Sequence, residues 1–200
     1  LGTESATLAV SGTRLAGNRL LAEVSVENLA GHKLPTAYPS RRVWLHVTVR
    51  DTKNAVVFES GALKPDGSIA GNDNDEDSAR YEPHHTDITG PGQVQVYEAV
   101  MGDPRGAVTT GLLTAVTYLK DNRLLPHGFD KATASKDVAV RGHASADADF
   151  AAGSDRLRYT IDVGGAAGPF TVQVELKYQT IGYRWAKNLA SYKAPEPERF

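Results

Sequence analysis

Residues 156–163, RLRYTIDV, alternate side chains one for one: Leu157, Tyr159, Ile161 and Val163 fall on one face, with Arg156, Arg158 and Asp162 on the other. A period of two is that of an extended chain with one buried and one wet face. The pattern recurs at 19–27 (RLLAEVSVE), where Leu20, Ala22, Val24 and Val26 share a face, and at 170–179 (FTVQVELKYQ), through Phe170, Val172, Val174, Leu176 and Tyr178. In GHKLPTAYPSRRVWLHVTVRD, residues 31–51, a proline-stiffened loop runs into a strand whose Val43, Leu45, Val47 and Val49 alternate with Trp44, His46, Thr48 and Arg50. These segments read as half-buried strands of antiparallel sheets.

Turn chemistry separates them. AGN at 16–18, DTKN at 51–54 and GGAAGP at 164–169 supply residues that tolerate positive φ or preset it. Further strands are expected at 6–14, 55–60, 93–101 and 112–119, and a short helix near 183–190, where Trp185 and Leu189 stand four apart. About eight strands with frequent turns predict an all-β fold, an antiparallel two-sheet β-sandwich of immunoglobulin-like or jelly-roll-like kind. A single domain over 1–200 is expected, with long irregular loops at 61–92 and 120–150. Loops of that length tend to carry function or disorder.

Composition narrows the function classes. Hydrophobic residues make up 40% and charged residues 23% of the 200, with a formal net charge of −2. No global field draws such a chain to nucleic acid or anionic membrane, and no apolar run approaches the roughly 18 residues of a membrane span. With no cysteine, the chain has no disulfide, thiolate metal site, cysteine nucleophile or C-x-x-C-H haem attachment. The chain begins at Leu1 without an initiator methionine. The expectation is a processed product or part of a longer chain, from which a signal peptide could have been removed.

The densest chemistry lies in PDGSIAGNDNDEDSARYEPHH, residues 65–85. Asp66, Asn72, Asp73, Asp75 and Asp77 offer hard oxygen ligands, and carboxylates so crowded repel unless a cation lies among them. Calcium, with six to eight oxygens in flexible geometry, suits that task. The spacing Asp73, Asp75, Asp77 imitates an EF-hand, but Ser78 and His84 occupy its sixth and twelfth positions, so that motif is rejected. A solvated acidic loop is the plain alternative.

The histidines, His32, His46, His84, His85, His127 and His143, form no H-E-x-x-H pair. His84 and His85, if extended, point to opposite sides. No G-x-S-x-G nucleophile context and no phosphate loop occur, so no enzyme activity is expected. A third reading, a metalloenzyme built on loop histidines, is kept for metal analysis to decide. Arg41 and Arg42 suit a carboxylate. At least one of them is expected to pair with the protein's own carboxylates and hold its loop down.

The 31–51 segment, with QVQVYEAVMGD (93–103), VTTGLLTAVTYLKDNRLLPHGFDKA (108–132) and IGYRWAKNL (181–189), resembles the haem-free C-terminal β-domain of certain bacterial multihaem c-type cytochromes. The likeness runs from about residue 20 to residue 200. GHKLPT, PSRR and LKDNRLLP are its most distinctive parts. It implies an extracytoplasmic location, periplasmic or cell-surface, and a supporting role in electron transfer by shielding, positioning or docking. The implied partner is a multihaem cytochrome region or redox protein. Residues offered to that partner or its haem are His32, Tyr38, Arg41, Arg42, His84 and His85. For His32 two readings stand open: an axial ligand to a haem carried elsewhere, or a histidine that hydrogen-bonds its own loop. The departure is the missing cysteine, which leaves no covalent haem in this chain. The rival class is a free-standing, calcium-stabilised adhesion, carbohydrate-binding or surface-assembly module, possible homo-assembly included, with Tyr38, Trp44, Tyr183 and Trp185 as sugar platforms.

Overall fold

A computed structural model describes residues 2–198. Ten strands carry the fold: β1 Ala6–Ala16, β2 Arg19–Asn28, β3 Arg42–Arg50, β4 Val56–Ser60, β5 Asp87–Ile88, β6 Val96–Gly102, β7 Val108–Thr109, β8 Thr117–Asp121, β9 Ser154–Asp162 and β10 Thr171–Gln179. Four short helices, α1 Gly2–Ser5, α2 Asp73–Glu76, α3 Tyr183–Leu189 and α4 Pro195–Glu198, and a 3-10 turn at His143–Ser145 complete it. None of the described helices is long and apolar enough to cross a membrane.

One sheet has the order β1-β2-β9-β5, and the other β10-β3-β6-β7, with β4 on β3 and β8 on β6. All pairings are antiparallel except that of β5 with β9. The inner faces meet in one core: Leu20, Ala22, Val24 and Val26 of β2, and Leu157, Tyr159 and Ile161 of β9, pack with Val43, Leu45, Val47 and Val49 of β3. This is the β-sandwich that the alternation predicts. Asn54 (φ 62) and Gly17 (φ 60) take the left-handed backbone where their turns require it, and Asp51 Oδ1 accepts from the amides of Lys53 and Ala55 to close the 51–54 turn.

β3 is buried on both faces. Trp44 packs with Ile69, Val94 and Val96, because the long 61–95 connection folds back over the outer face of the sheet. Trp44 Nε1 donates to Gly61 O at 2.9 Å, so this ring is unavailable as a sugar platform. The strand expected at 112–119 begins only at Thr117 and continues to Asp121. Leu112 and Leu113 instead occupy a turn in which Thr114 N donates to Gly111 O.

Candidate functional site

The acidic loop is organised around an arginine. Arg42, leading β3, places Nη1 2.7 Å from Asp75 Oδ1 and Nη2 2.9 Å from Asp75 Oδ2, with both side chains almost wholly buried. Asp75 Oδ2 also accepts from Ile69 N at 2.7 Å. Arg42 Nε donates to Gln179 Oε1, so its fork is fully used. Asp66 Oδ1 accepts from the amide and hydroxyl of Ser68. Asn72 caps α2 through its side-chain oxygen, Asp73 pairs with Arg80 at 2.7 Å, and Asp77 Oδ1 accepts from Ala79 N. Arg184 of α3 donates to the carbonyls of Asn74 and Asp75. Among the described residues no three of the carboxylates expected as calcium ligands, Asp66, Asp73, Asp75 and Asp77, come close enough together to share an ion, and Asp75 and Asp73 take their balancing charge from Arg42 and Arg80. Arg42 is a brace for its own loop, the role expected of one of the two arginines, and its buried fork does not face a partner.

Among the described residues, the acidic and histidine side chains that converge closely enough to share an ion are His84, Asp147 and Asp155, all buried. His84 Nε2 lies 3.0 Å from Asp147 Oδ2 and 3.9 Å from Asp155 Oδ1. Its Nδ1 meets the side-chain amides of Gln95 at 2.8 Å and Asn122 at 3.1 Å. Both amides are fixed by backbone partners: Gln95 Oε1 accepts from His85 N, while Asn122 Oδ1 accepts from Glu98 N and its amide donates to Val96 O. Each presents NH₂ to the ring, so Nδ1 is an acceptor and Nε2 carries the proton, aimed at Asp147.

A metal at Nε2 would displace that proton while two donors still pressed on Nδ1. The donor set therefore suits a hydrogen-bonded network better than an ion. Asp155 accepts from Tyr97 Oη at 2.7 Å, Gln95 Nε2 at 3.1 Å and Arg156 N at 2.9 Å. Burial, with the nearby Asp147 charge, pushes its carboxyl up to about 7, and burial holds the His84 imidazolium down to about 4.

The sequence reading found His84 but missed its partners. Asp155 and Gln95 did carry a signal, because each continues the inward register of its strand, two residues before Leu157 and Tyr97. Asn122 and Asp147 lie in or beside irregular chain, where no period marks them. His85 turns away from His84, and its Nε2 lies 2.6 Å from Glu82 Oε1.

The 31–42 loop is pinned at its base. Buried Asn28 donates through Nδ2 to the carbonyls of His32, Leu124 and Leu125, and its Oδ1 accepts from Ala30 N. Leu34 and Leu124 exchange both backbone hydrogen bonds at 2.9 and 2.8 Å. His32 is exposed, and its Nδ1 lies 3.0 Å from Lys33 O. Lys33 and Arg123 both reach Asp121, at 2.9 and 2.7 Å. Arg41 donates to Thr36 O and has no carboxylate partner among the described residues. Tyr38 is half exposed, with its ring 5.7 Å from that of Trp185 in α3.

No family model and no curated protein matches this chain. Among solved structures it is similar to a penta-haem cytochrome c552 from Thermochromatium tepidum, with a TM-score of 0.55 and 18% sequence identity. The match covers 96% of this chain and 36% of that one, so the chain spans about a third of the length of the cytochrome. At this identity the likeness is one of fold.

Proposed function

We propose that the chain is a non-catalytic, extracytoplasmic β-sandwich that associates with a multihaem c-type cytochrome region and supports electron transfer by positioning or docking it. The observation that carries this reading is the fold likeness, which takes in 96% of this chain but only 36% of a penta-haem protein. With no cysteine of its own, the chain cannot anchor a c-type haem covalently, so the haem belongs to another region or chain. The non-catalytic part draws support from how the reactive groups are used: His84, Asp75 and Arg42 are buried and fully engaged in bracing the fold.

The test is affinity purification of the tagged chain from the periplasmic or surface fraction of its native host, followed by pyridine haemochrome analysis. Covalent haem in the same polypeptide or in a stoichiometric partner is expected. A chain recovered without c-type haem, or found in the cytoplasm, would overturn the association. Redox or hydrolytic turnover by the isolated polypeptide would overturn the non-catalytic role.

A further inference from the structure

The six histidines differ in what their rings are given. His46 sits between Glu175 and Glu59, at 3.0 and 2.9 Å. His84 has both nitrogens engaged, His85 gives Nε2 to Glu82, and His127 gives Nε2 to Glu27. His143 is exposed with no ring partner among the described residues, so nothing fixes its proton or its direction. His32 and His127 are the exposed rings with one nitrogen held and the other free, and of the two only His32 lies in the pinned 31–42 loop. The carbonyl of Lys33 can only accept, so His32 Nδ1 carries the proton. Its Nε2 is left with an unshared pair on an exposed ring. The backbone beneath is held by Asn28 at the His32 carbonyl and by the two-way bridge of Leu34 with Leu124.

An imidazole whose one N–H is held by a backbone carbonyl is set in tautomer and orientation to coordinate through the other nitrogen. Imidazole suits iron, copper or zinc, whereas calcium takes oxygens. A free ion of those metals takes three or four protein ligands, and His32 belongs to no group of three or more histidine and carboxylate side chains among the described residues. A haem iron already has four nitrogens and needs only an axial donor. Arg41, without a carboxylate partner among the described residues, leaves in the same loop a positive charge that suits a propionate, whereas Lys33 is paired with Asp121.

We propose that His32 donates its Nε2 pair to the iron of a haem held by the partner region. An N–Fe bond forms, water leaves the axial position, and the oxidation state of the iron is unchanged. The inference rests on the association proposed above and names the residue that carries it.

The probe is a ferric c-type haem peptide with one axial histidine and one water. Wild-type protein should convert it from high spin to low spin, saturating at one per chain. His32→Ala should weaken that conversion by at least about tenfold while leaving circular dichroism and melting unchanged. His127→Ala and His143→Ala should each titrate like wild type. A His32→Ala protein that titrates like wild type, or a loss that follows His127 or His143 instead, overturns the proposal. Purification from the native host separates the two readings. No c-type haem with the wild-type chain sinks the association. Haem that co-purifies equally with His32→Ala and keeps an unchanged spectrum sinks the ligation alone.

Discussion

At Arg42 one guanidinium, held at both ends by Asp75, supplies part of the positive charge that the crowded carboxylates of the 65–85 loop demand. Removing one member of such a buried pair strands the other, at a cost of about 3–5 kcal/mol, whereas replacing both with apolar groups of similar volume is often near neutral. Arg42→Ala should therefore lower the urea midpoint sharply, and Arg42→Met with Asp75→Leu should recover most of it. A double variant as unstable as the single would show that the loop needs this charge pair for more than neutralisation. His84 and Asp155 make a second residue-scale test, because their shifts oppose. The His84 imidazolium falls to about 4 from 6.5, so the unfolded chain binds the extra proton, and this group's contribution is lost as pH drops from 6.5 to 4. The Asp155 carboxyl rises to about 7 from 3.8, so the folded chain holds the extra proton, and its contribution is lost as pH rises from 3.8 to 7. The two slopes offset each other where the windows overlap. In Asp155→Asn, stability should rise between pH 4 and 6.5. In His84→Gln it should fall as pH rises toward 7, each slope reaching at most about 1.4 kcal/mol per pH unit. Denaturation series across this range read the sign directly, and slopes of the same sign in both variants would refute the arrangement.

At the scale of elements, the contact that folds the 61–95 connection onto β3 is Gly61, with φ 78. A Cβ there would run into the carbonyl oxygen of Leu45 and lie 3.2 Å from both the Trp44 ring and Val94. Gly61→Ala should cost more than about 2 kcal/mol. Gly17→Ala, in an open turn with nothing within 4 Å, should cost only about 1 kcal/mol; equal losses in thermal melts would remove Gly61 from this role. The acidic loop gives the companion test. With its carboxylates spent on Arg42, Arg80 and backbone amides, chelator or added calcium should leave the melting temperature in place, and a clear rise with calcium would restore the ion. These two elements also show where sequence patterning stops being informative. The strands β2, β3, β9 and β10 are legible because one buried face imposes a period of two, and Asn54 and Gly17 mark their turns. Arg42 and Asp75 stand 33 residues apart, and His84 and Asp147 stand 63 apart. Nothing local in either segment announces the partner, since the pairing is set by how the loops close over the sheets. Hence the acidic loop could be seen as needing a cation but not which one, and His84 could be named while its network could not.

At the scale of the whole molecule, a net charge of −2 spread over 200 residues gives little long-range steering, so recognition of the proposed haem-bearing partner would rest on local features of one face. One such face joins the 31–42 loop to the Tyr38–Trp185 pair: Pro39, Ser40 and Trp185 line one cleft with Thr110 and Met101, and Met101 also borders the cleft of Val116, Lys136 and Arg141. Because Leu34 of the 31–42 loop is buried in the core while the His32 ring is exposed outside it, binding and folding should be separable at His32. His32→Ala should melt at the wild-type temperature when alone, since the exposed ring supports no core contact. Saturating haem peptide should raise the wild-type melting temperature by mass action, with about 2.7 kcal/mol of added stability at a ligand concentration 100 times Kd. The variant should gain almost none of it. Differential scanning calorimetry at several peptide concentrations measures both quantities in one series. A variant that is already unstable without ligand would place His32 among the groups that hold the loop, and an equal gain in both proteins would move the binding site elsewhere on the shell.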